Sequence, residues 1–468
     1  MAGALPSSSA PPADVRLVRR NGTWSAAHRG LAIASNSLTT LILVLVLPVE
    51  EFGAYSYAIT LASLGITIMG AGLWGIAVKA LVIHPESSAR LVSSLMLIRE
   101  AFGLAGYAAI AAVSVTSGSS QTIAATLVAG TALLARAADA PELWFQAEMR
   151  SPVVARIRIT VTVALLAVRL LALVFWSSIW VFLALYVLES VIASTWIAVR
   201  YLRDRQSPGL SRPRAAECAP LVRESFPLFL SGVANQVNLR GDIILIQALL
   251  GSAAVGAYSV AARISEVAYF LPVVFMNATL PLLVKLRREV GADDPRYVAM
   301  LQKSYDQAFW YGVAIAAAAG ASGSIVIGLL GPDYSPSIGV LWIHLLACPF
   351  VFMGAVYAKW IIAEGALWSA LIRHSAGAGA NIGLNLLLIP TLGIRGSAIA
   401  TVTSYILASY LACFIGRDTR VAGVQMSLAI AAPARLVVAR LKQETTIARS
   451  APAAATFTPK GRSDQAQR

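Results

Sequence analysis

Twelve apolar runs of about 20 residues, the length that crosses a bilayer as a helix, follow one another along this chain. They lie near 30–48, 54–78, 91–115, 120–138, 153–176, 179–199, 222–250, 255–284, 305–330, 338–361, 372–391 and 396–416. In lipid every backbone N–H and C=O must be bonded internally, so runs of this length can only be helices. Composition agrees: 57% of residues are hydrophobic and 13% charged, where a soluble chain carries about 25% charged. Nothing at the start resembles a cleavable signal peptide, since some thirty polar, Arg-containing residues precede the first run. The expected fold class is an all-α polytopic membrane protein.

The net charge of +14 would suggest nucleic acid in a soluble protein. Here its placement points elsewhere. Both termini and the even-numbered connections carry nearly all the Lys and Arg, whereas the odd-numbered connections hold only Arg395. The positive-inside rule then puts both termini in the cytoplasm and predicts a multi-pass protein of a bacterial plasma membrane. The odd connections are too short for an extracytoplasmic catalytic domain.

The segment Gly53-Ala54-Tyr55-Ser56-Tyr57-Ala58 returns as Gly256-Ala257-Tyr258-Ser259-Val260-Ala261, 203 residues later. Six runs separate the copies, so both halves enter the membrane in the same direction. A parallel repeat of this kind places a substrate between halves that rock for alternating access. The expected organisation is a cytoplasmic tail over 1–29, a six-helix bundle over 30–199 and a cytoplasmic linker over 200–220. A second bundle over 221–416 and a basic tail over 417–468 follow, the bundles enclosing a central cavity. The seventh run, with Pro227 and a polar centre from Asn235 to Asp242, reads as bent or broken.

Charges at bilayer depth are functional candidates by default. Arg169 lies nine residues before Ser178 and Glu189 eleven after it. At ~1.5 Å per residue, both sit roughly 14–17 Å below that turn, where they can pair across the hairpin. Arg158 lies three turns from Arg169 on the same face. In the second half Asp242 lies ten residues before Ser252 and Arg263 eleven after it, with Glu266 one turn from Arg263 and Arg240 flanking Asp242. Arg99 lies inside the third run. Two readings stay open: a cationic cavity that receives an anionic group, or ion pairs that pin neighbouring helices. Asn381 and Asn385, one turn apart, suit hydrogen bonding between helices, and His344 and His374 stand isolated. Cys218, Cys348 and Cys413 have no metal or disulfide spacing. No nucleotide loop or nucleophile motif occurs, so no cofactor and no catalytic site is expected.

Several stretches are similar to the oligosaccharide flippase (Wzx-like) family of the multidrug/oligosaccharidyl-lipid/polysaccharide exporter superfamily. They are Arg240-Gly241-Asp242, Leu250-Gly251, Val255 to Ile264 and Pro272; Pro48 to Ser56; Trp144-Phe145-Gln146-Ala147 with Arg169 and Leu188-Glu189; and Asn381, Leu384-Asn385, Ile389-Pro390, Gly393, Gly396 and Ala398 to Thr401. The resemblance implies two six-helix bundles around a V-shaped cavity. It also implies a polyprenyl-diphosphate-linked oligosaccharide as substrate, with polysaccharide polymerase and glycosyltransferases as partners and no nucleic acid. In the related flippase of the peptidoglycan precursor a Tyr-Ala-Asp-Arg-Leu stretch supplies a cavity arginine. Arg263 occupies the matching position, but Ala262 replaces the acidic residue and Thr60 stands at the first-half equivalent. A diphosphate carries about two negative charges, which guanidinium groups pair bidentately. The expected cavity residues are Arg263, Arg240, Asp242, Glu266, Arg99, Arg169 and Glu189. Alternatives are a drug or cation antiporter of the same superfamily, a membrane polysaccharide polymerase or ligase, and a scaffold of an export complex. Residues 421–432, followed by Arg435, Arg440 and Lys442, suit a helix lying on anionic lipid, with disorder expected beyond Glu444.

Overall fold

The computed structural model describes residues 12–435 except 177, 214, 292, 365–366 and 417–418. Among them each of the twelve apolar runs is a helix or a pair of helices. In order these are α1 (Pro12–Val46), α2 (Val49–Gly70), α3 (Leu73–Ile83), α4 (Ser88–Ser114), α5 (Ser120–Arg136), α6 (Pro141–Ala147), α7 (Ser151–Phe175) and α8 (Ile179–Leu202). Then come α9 (Ala215–Leu250), α10 (Ser252–Val290), α11 (Pro295–Leu329), α12 (Ser335–Leu345), α13 (Cys348–Glu364), α14 (Leu367–Leu392), α15 (Ile394–Ser409) and α16 (Arg420–Ile430).

Two runs are interrupted. The second breaks at Ala71 and Gly72, both left-handed (φ 46° and 66°). Gly72 is required there, because an added Cβ would lie 2.5 Å from the backbone nitrogen of Phe229 on α9. The tenth bends by 41° between α12 and α13. The seventh, expected to bend or break, does not break: it is one continuous helix with Pro220 and Pro227 inside it.

By length and apolarity nine spans qualify among the described residues, or ten with the bent pair. That is fewer than twelve. The remaining long helices are α9 and α10, of 36 and 39 residues. Each carries ionisable groups away from its ends, Arg240 and Asp242 in the C-terminal third of α9 and Arg263 and Glu266 in the N-terminal half of α10. The molecule is an all-helical, multi-pass membrane protein. Its surface agrees: α7 alone exposes Val163, Val168, Leu170, Leu171, Val174 and Phe175, an apolar face that suits lipid.

The repeat marks where the halves meet. A Cβ on Gly53 would lie 1.8 Å from the carbonyl oxygen of Ser252, and one on Gly256 would lie 2.2 Å from that of Val49. Val49 and Ser252 are themselves 203 residues apart, so each copy touches the other by the same rule, as a local two-fold axis demands. Glycine at both positions lets the backbones of α2 and α10 cross in direct contact. One apolar core continues through this crossing, joining Phe52 and Tyr57 to Ile243 and Tyr258, while a second, around Trp144 and Tyr201, lies mainly within the first half.

The segment after α8 is held by first-half groups. Asp204 accepts from Arg150 (2.6 Å) and Arg200 (2.9 Å), the Tyr201 hydroxyl donates to Gly209 O (2.7 Å), and Ser211 N donates to Ser93 Oγ (3.1 Å). The terminal helix α16, expected on the lipid surface, packs on the start of α11. Gln302 donates to Gln425 O (2.9 Å), Trp310 to Ala429 O (3.2 Å), and Arg435 pairs with Asp306 (2.6 Å). Arg440, Lys442 and the segment beyond Glu444 lie outside the described residues, as does the chain before Pro12.

Candidate functional site

A cavity of about 410 Å³ opens between the halves, just inside the glycine crossing. From α2 it receives Ser56, Thr60, Ser63 and Thr67, whose spacing of three and four residues keeps them on one helical face. Tyr55 and Tyr186 supply rings. Arg136, Arg169, Arg240 and Arg263 converge on it from α5, α7, α9 and α10. Gln236 of α9 donates to Ser63 Oγ of α2 (3.0 Å), one hydrogen bond across the halves.

The arginines are neutralised unequally. Glu266 accepts from both Arg240 (2.6 Å) and Arg263 (2.9 Å). Arg169, 4% exposed, pairs with Glu189 (2.6 Å) across the α7–α8 hairpin, and Thr162 holds the other Glu189 oxygen at 2.8 Å. Arg136 makes no ion pair or hydrogen bond among the described residues. Four guanidiniums against Glu189 and Glu266 leave two positive charges around the cavity. Such a surface can hold a doubly charged anion by bidentate, charge-assisted hydrogen bonds.

Of the seven expected cavity residues, Arg169, Arg240 and Arg263 line it, Glu189 and Glu266 reach it only as their ion-pair partners, and Arg99 and Asp242 lie elsewhere. Arg99 pairs with Asp139 (2.7 Å), which also receives Arg158 (2.9 Å), and Arg158 reaches Glu142 (2.5 Å). This network lines a separate vestibule of about 380 Å³ in the first half. Arg99 thus lies within α4 but faces the vestibule and not the central cavity. Asp242 is 5% exposed and is turned away from Arg240 and Arg263. Its carboxylate accepts from the Tyr258 hydroxyl (2.5 Å), from Ile243 N (2.8 Å) and from Thr401 (3.4 Å). The expected pairing of Asp242 with Arg263 is therefore replaced by Arg240–Glu266–Arg263.

Around Asp242 the second half builds a closed polar cluster. His344, read as isolated, meets the Tyr258 hydroxyl at 3.0 Å. Asn381 donates to Thr401 (3.3 Å), Asn385 donates to Asn381 Oδ1 (3.1 Å), and Ser397 donates to Asn385 (2.6 Å). These bonds tie α14 to α15, the role their spacing suggested. The cluster satisfies one buried carboxylate with hydroxyl and backbone N–H donors and no ion pair.

Arg136 was missed by the sequence reading. It stands in the last turn of α5, where a basic residue reads as an anchor at the membrane edge, and only tertiary structure brings it to the cavity.

Comparison with known proteins places this geometry. The chain superposes on the lipid II flippase MurJ in an inward closed conformation with a TM-score of 0.68, at 14% identity over 88% of this chain and 91% of that one. It superposes on a multidrug resistance MATE family transporter of the MOP superfamily, inward-facing, at 0.64, with 17% identity over 88% and 96% of the two chains. A MOP superfamily transporter from Pyrococcus furiosus, described as having a binding pocket of reverse polarity, superposes at 0.53, with 17% identity over 87% and 96%. At such identities the likeness establishes a MATE- and MurJ-like fold and nothing finer. In sequence, a segment of 180 residues is 31% identical to the probable flippase AglR of Haloferax volcanii, covering 36% of each chain. The match thus spans about a third of that relative's length. The model of the family described as polysaccharide biosynthesis protein matches residues 18–287, which hold the glycine crossing and every arginine of the cavity. With more than half its length so matched, the chain belongs to the polysaccharide biosynthesis protein family.

Proposed function

We propose that this chain flips a polyprenyl-diphosphate-linked oligosaccharide from the cytoplasmic to the outer leaflet of a bacterial plasma membrane. One observation carries the reading. An apolar groove of about 500 Å³, walled by Leu41 and Val44 of α1, Val260, Ile264 and Val267 of α10, and Ile315 and Val326 of α11, shares Thr40 and Arg263 with the cationic cavity. A doubly charged head and a hydrocarbon chain thus find adjoining sites that meet at one guanidinium. The polyprenyl chain lies in the groove, the diphosphate among Arg263, Arg240 and Arg169, and the sugars in the polar volume along α2. Family membership and the segment shared with a probable flippase support the same substrate class.

In this reading the runs form twelve spans in two six-helix bundles, over 30–199 and 221–416, with both termini cytoplasmic. The bundles rock about the Gly53–Gly256 crossing. Outward movement of an anion is downhill in an inside-negative membrane by about 2.3 kcal/mol per charge per 100 mV. Glycosyltransferases supply the substrate and a polymerase consumes it.

The test is flipping of a fluorescent polyprenyl-diphosphate oligosaccharide in proteoliposomes, alongside polymer export in cells. Arg263→Ala and Arg240→Ala are expected to abolish both while the protein still inserts. Normal export by either variant at matched expression removes that charge from the pathway. A drug or cation antiporter is the second reading, favoured by the buried Asp242 cluster. It requires gradient-driven uptake of a soluble cation that survives Arg263→Ala.

A further inference from the structure

Arg136 lines three cavities at once. It borders the vestibule that holds Arg99 and Arg158, a side cavity of about 190 Å³ beside Glu189, and the central cavity. No other described residue lines all three. Vestibule and central cavity otherwise share only Ile66, so Arg136 is the polar point at which one passes into the other.

Its guanidinium also makes no hydrogen bond or ion pair among the described residues, and acts on Asp139 only through space. In the vestibule Arg99 and Arg158 are bonded to Asp139 and Glu142. In the central cavity Arg169, Arg240 and Arg263 are bonded to Glu189 and Glu266. Arg136 alone among these arginines has no carboxylate within ion-pair distance among the described residues. A basic residue in the last turn of a helix is ordinarily explained by that helix's terminal carbonyls. The Arg136 guanidinium donates to none of them, nor to any other described group. A half-buried guanidinium keeping all its donors free between two water-accessible volumes is poised for a transient anionic partner.

We propose that Arg136 is a hand-over station for a phosphate or diphosphate group, receiving it in the vestibule and passing it to the Arg169–Arg240–Arg263 site. The inference rests on the proposed function in taking the substrate as anionic, and adds a second binding step on the route to the central site. It also accounts for the pairing pattern. The vestibule arginines are matched by Asp139 and Glu142 and do not trap the anion, Arg136 attracts it, and Arg240 and Arg263, sharing Glu266, keep the net charge that receives it.

The test is isothermal titration of the full chain in nanodiscs with inorganic pyrophosphate, and with polyprenyl diphosphate incorporated in the nanodisc lipid. The two arms separate a soluble anion from a lipid head group. Arg136→Ala is expected to weaken both ligands about tenfold, with an unchanged melting temperature because no bond is lost. Arg136→Lys is expected to stay within about threefold, since it keeps the charge. Wild-type affinity in Arg136→Ala, with affinity lost in Arg263→Ala, overturns the station and leaves the proposed function standing. A melting temperature lowered equally in Arg136→Ala and Arg136→Lys marks a structural role and also overturns it. A wild type that binds neither ligand overturns both.

Discussion

Tyr55 and Tyr258 occupy the same place in the two repeat copies, yet Tyr55 lines the cationic cavity while Tyr258 is fully buried with its hydroxyl 2.5 Å from Asp242. Their neighbours Gly53 and Gly256 make equivalent backbone contacts across the halves. Backbone geometry is therefore shared and side-chain chemistry is not. The first half points its polar groups into open volumes, with α2 giving a hydroxyl stripe and α5 and α7 giving arginines. The second half closes most of its polar groups into the Asp242 cluster and offers the cavity Gln236, Arg240 and Arg263, with Glu266 bonded to both arginines. A parallel duplication can thus divide labour, one half shaping a binding wall and the other holding a rigid, titratable core beside it.

The largest effect tests how each half balances its charge. Arg169 is nearly inaccessible and Glu189, 25% exposed, is its single carboxylate partner. Glu189→Gln should destabilise the protein by about 3 kcal/mol, the lower end for stranding a buried charge. Glu266→Gln should cost less, because Arg240 and Arg263 are 21% and 25% exposed and cavity water can solvate them. Thermal unfolding of both variants in detergent decides; equal losses would mean that the second-half triad is as dry as the first-half pair.

Next come the repeat tyrosines. Tyr258→Phe removes the donor to Asp242 and the partner of His344, so a loss of about 1.5–3 kcal/mol is expected. Tyr55→Phe should change stability by less than about 0.5 kcal/mol, because its hydroxyl bonds no described group. A Tyr55→Phe variant as unstable as Tyr258→Phe would erase the contrast drawn between the halves. Comparable in size to Tyr258→Phe, and symmetric, are Gly53→Ala and Gly256→Ala. Each places a Cβ on a facing carbonyl and should cost about 1–3 kcal/mol by overpacking. The prediction is that the two losses match; a loss confined to one copy would break the two-fold relation.

The sequence made some of this legible, for identifiable reasons. Arg169 and Glu189 could be paired because both depths count from one turn, and a hairpin leaves little freedom in which faces meet. Asp242 could not be placed by the same counting, which gives height and not direction. Two residues apart on a helix means roughly 200° around its axis, so Arg240 facing the cavity sends Asp242 the opposite way. Arg99 failed similarly: it lies within the expected helix, but Asp139, which captures it, belongs to a short 3-10 turn that no periodicity announces. Arg136 was hidden because its role depends on where three cavities meet. The count of twelve rested on the basic connections and the repeat; by length and apolarity nine or ten spans qualify among the described residues, and α9 and α10, with Arg240, Asp242, Arg263 and Glu266 inside them, are not among these.

The smallest effect concerns the joint between the halves. Arg150 grips Asp204 through both guanidinium nitrogens (2.6 and 3.3 Å), and Gln206 N caps the same carboxylate at 3.0 Å. The hydrogen bonds from Arg150 hold the Asp204 carboxyl below its ordinary range, with Arg200 adding to the effect. A depressed carboxyl stabilises the fold fully above its unfolded pKa of about 3.9 and loses that contribution as pH falls through the lower folded value. The clamp should therefore hold throughout neutral pH and release only below about pH 4. Arg200 and Gln206 N still hold Asp204 when Arg150 is lost, so removing Arg150 should cost no more than about 1 kcal/mol. Limited proteolysis of the 203–213 segment is the sensitive readout, since Arg150→Ala should speed cleavage a few-fold at pH 7. If cleavage is equally fast with and without Arg150, the first half does not own the linker. The joint would then bend between the halves, and rocking would be centred on the linker as much as on the glycine crossing.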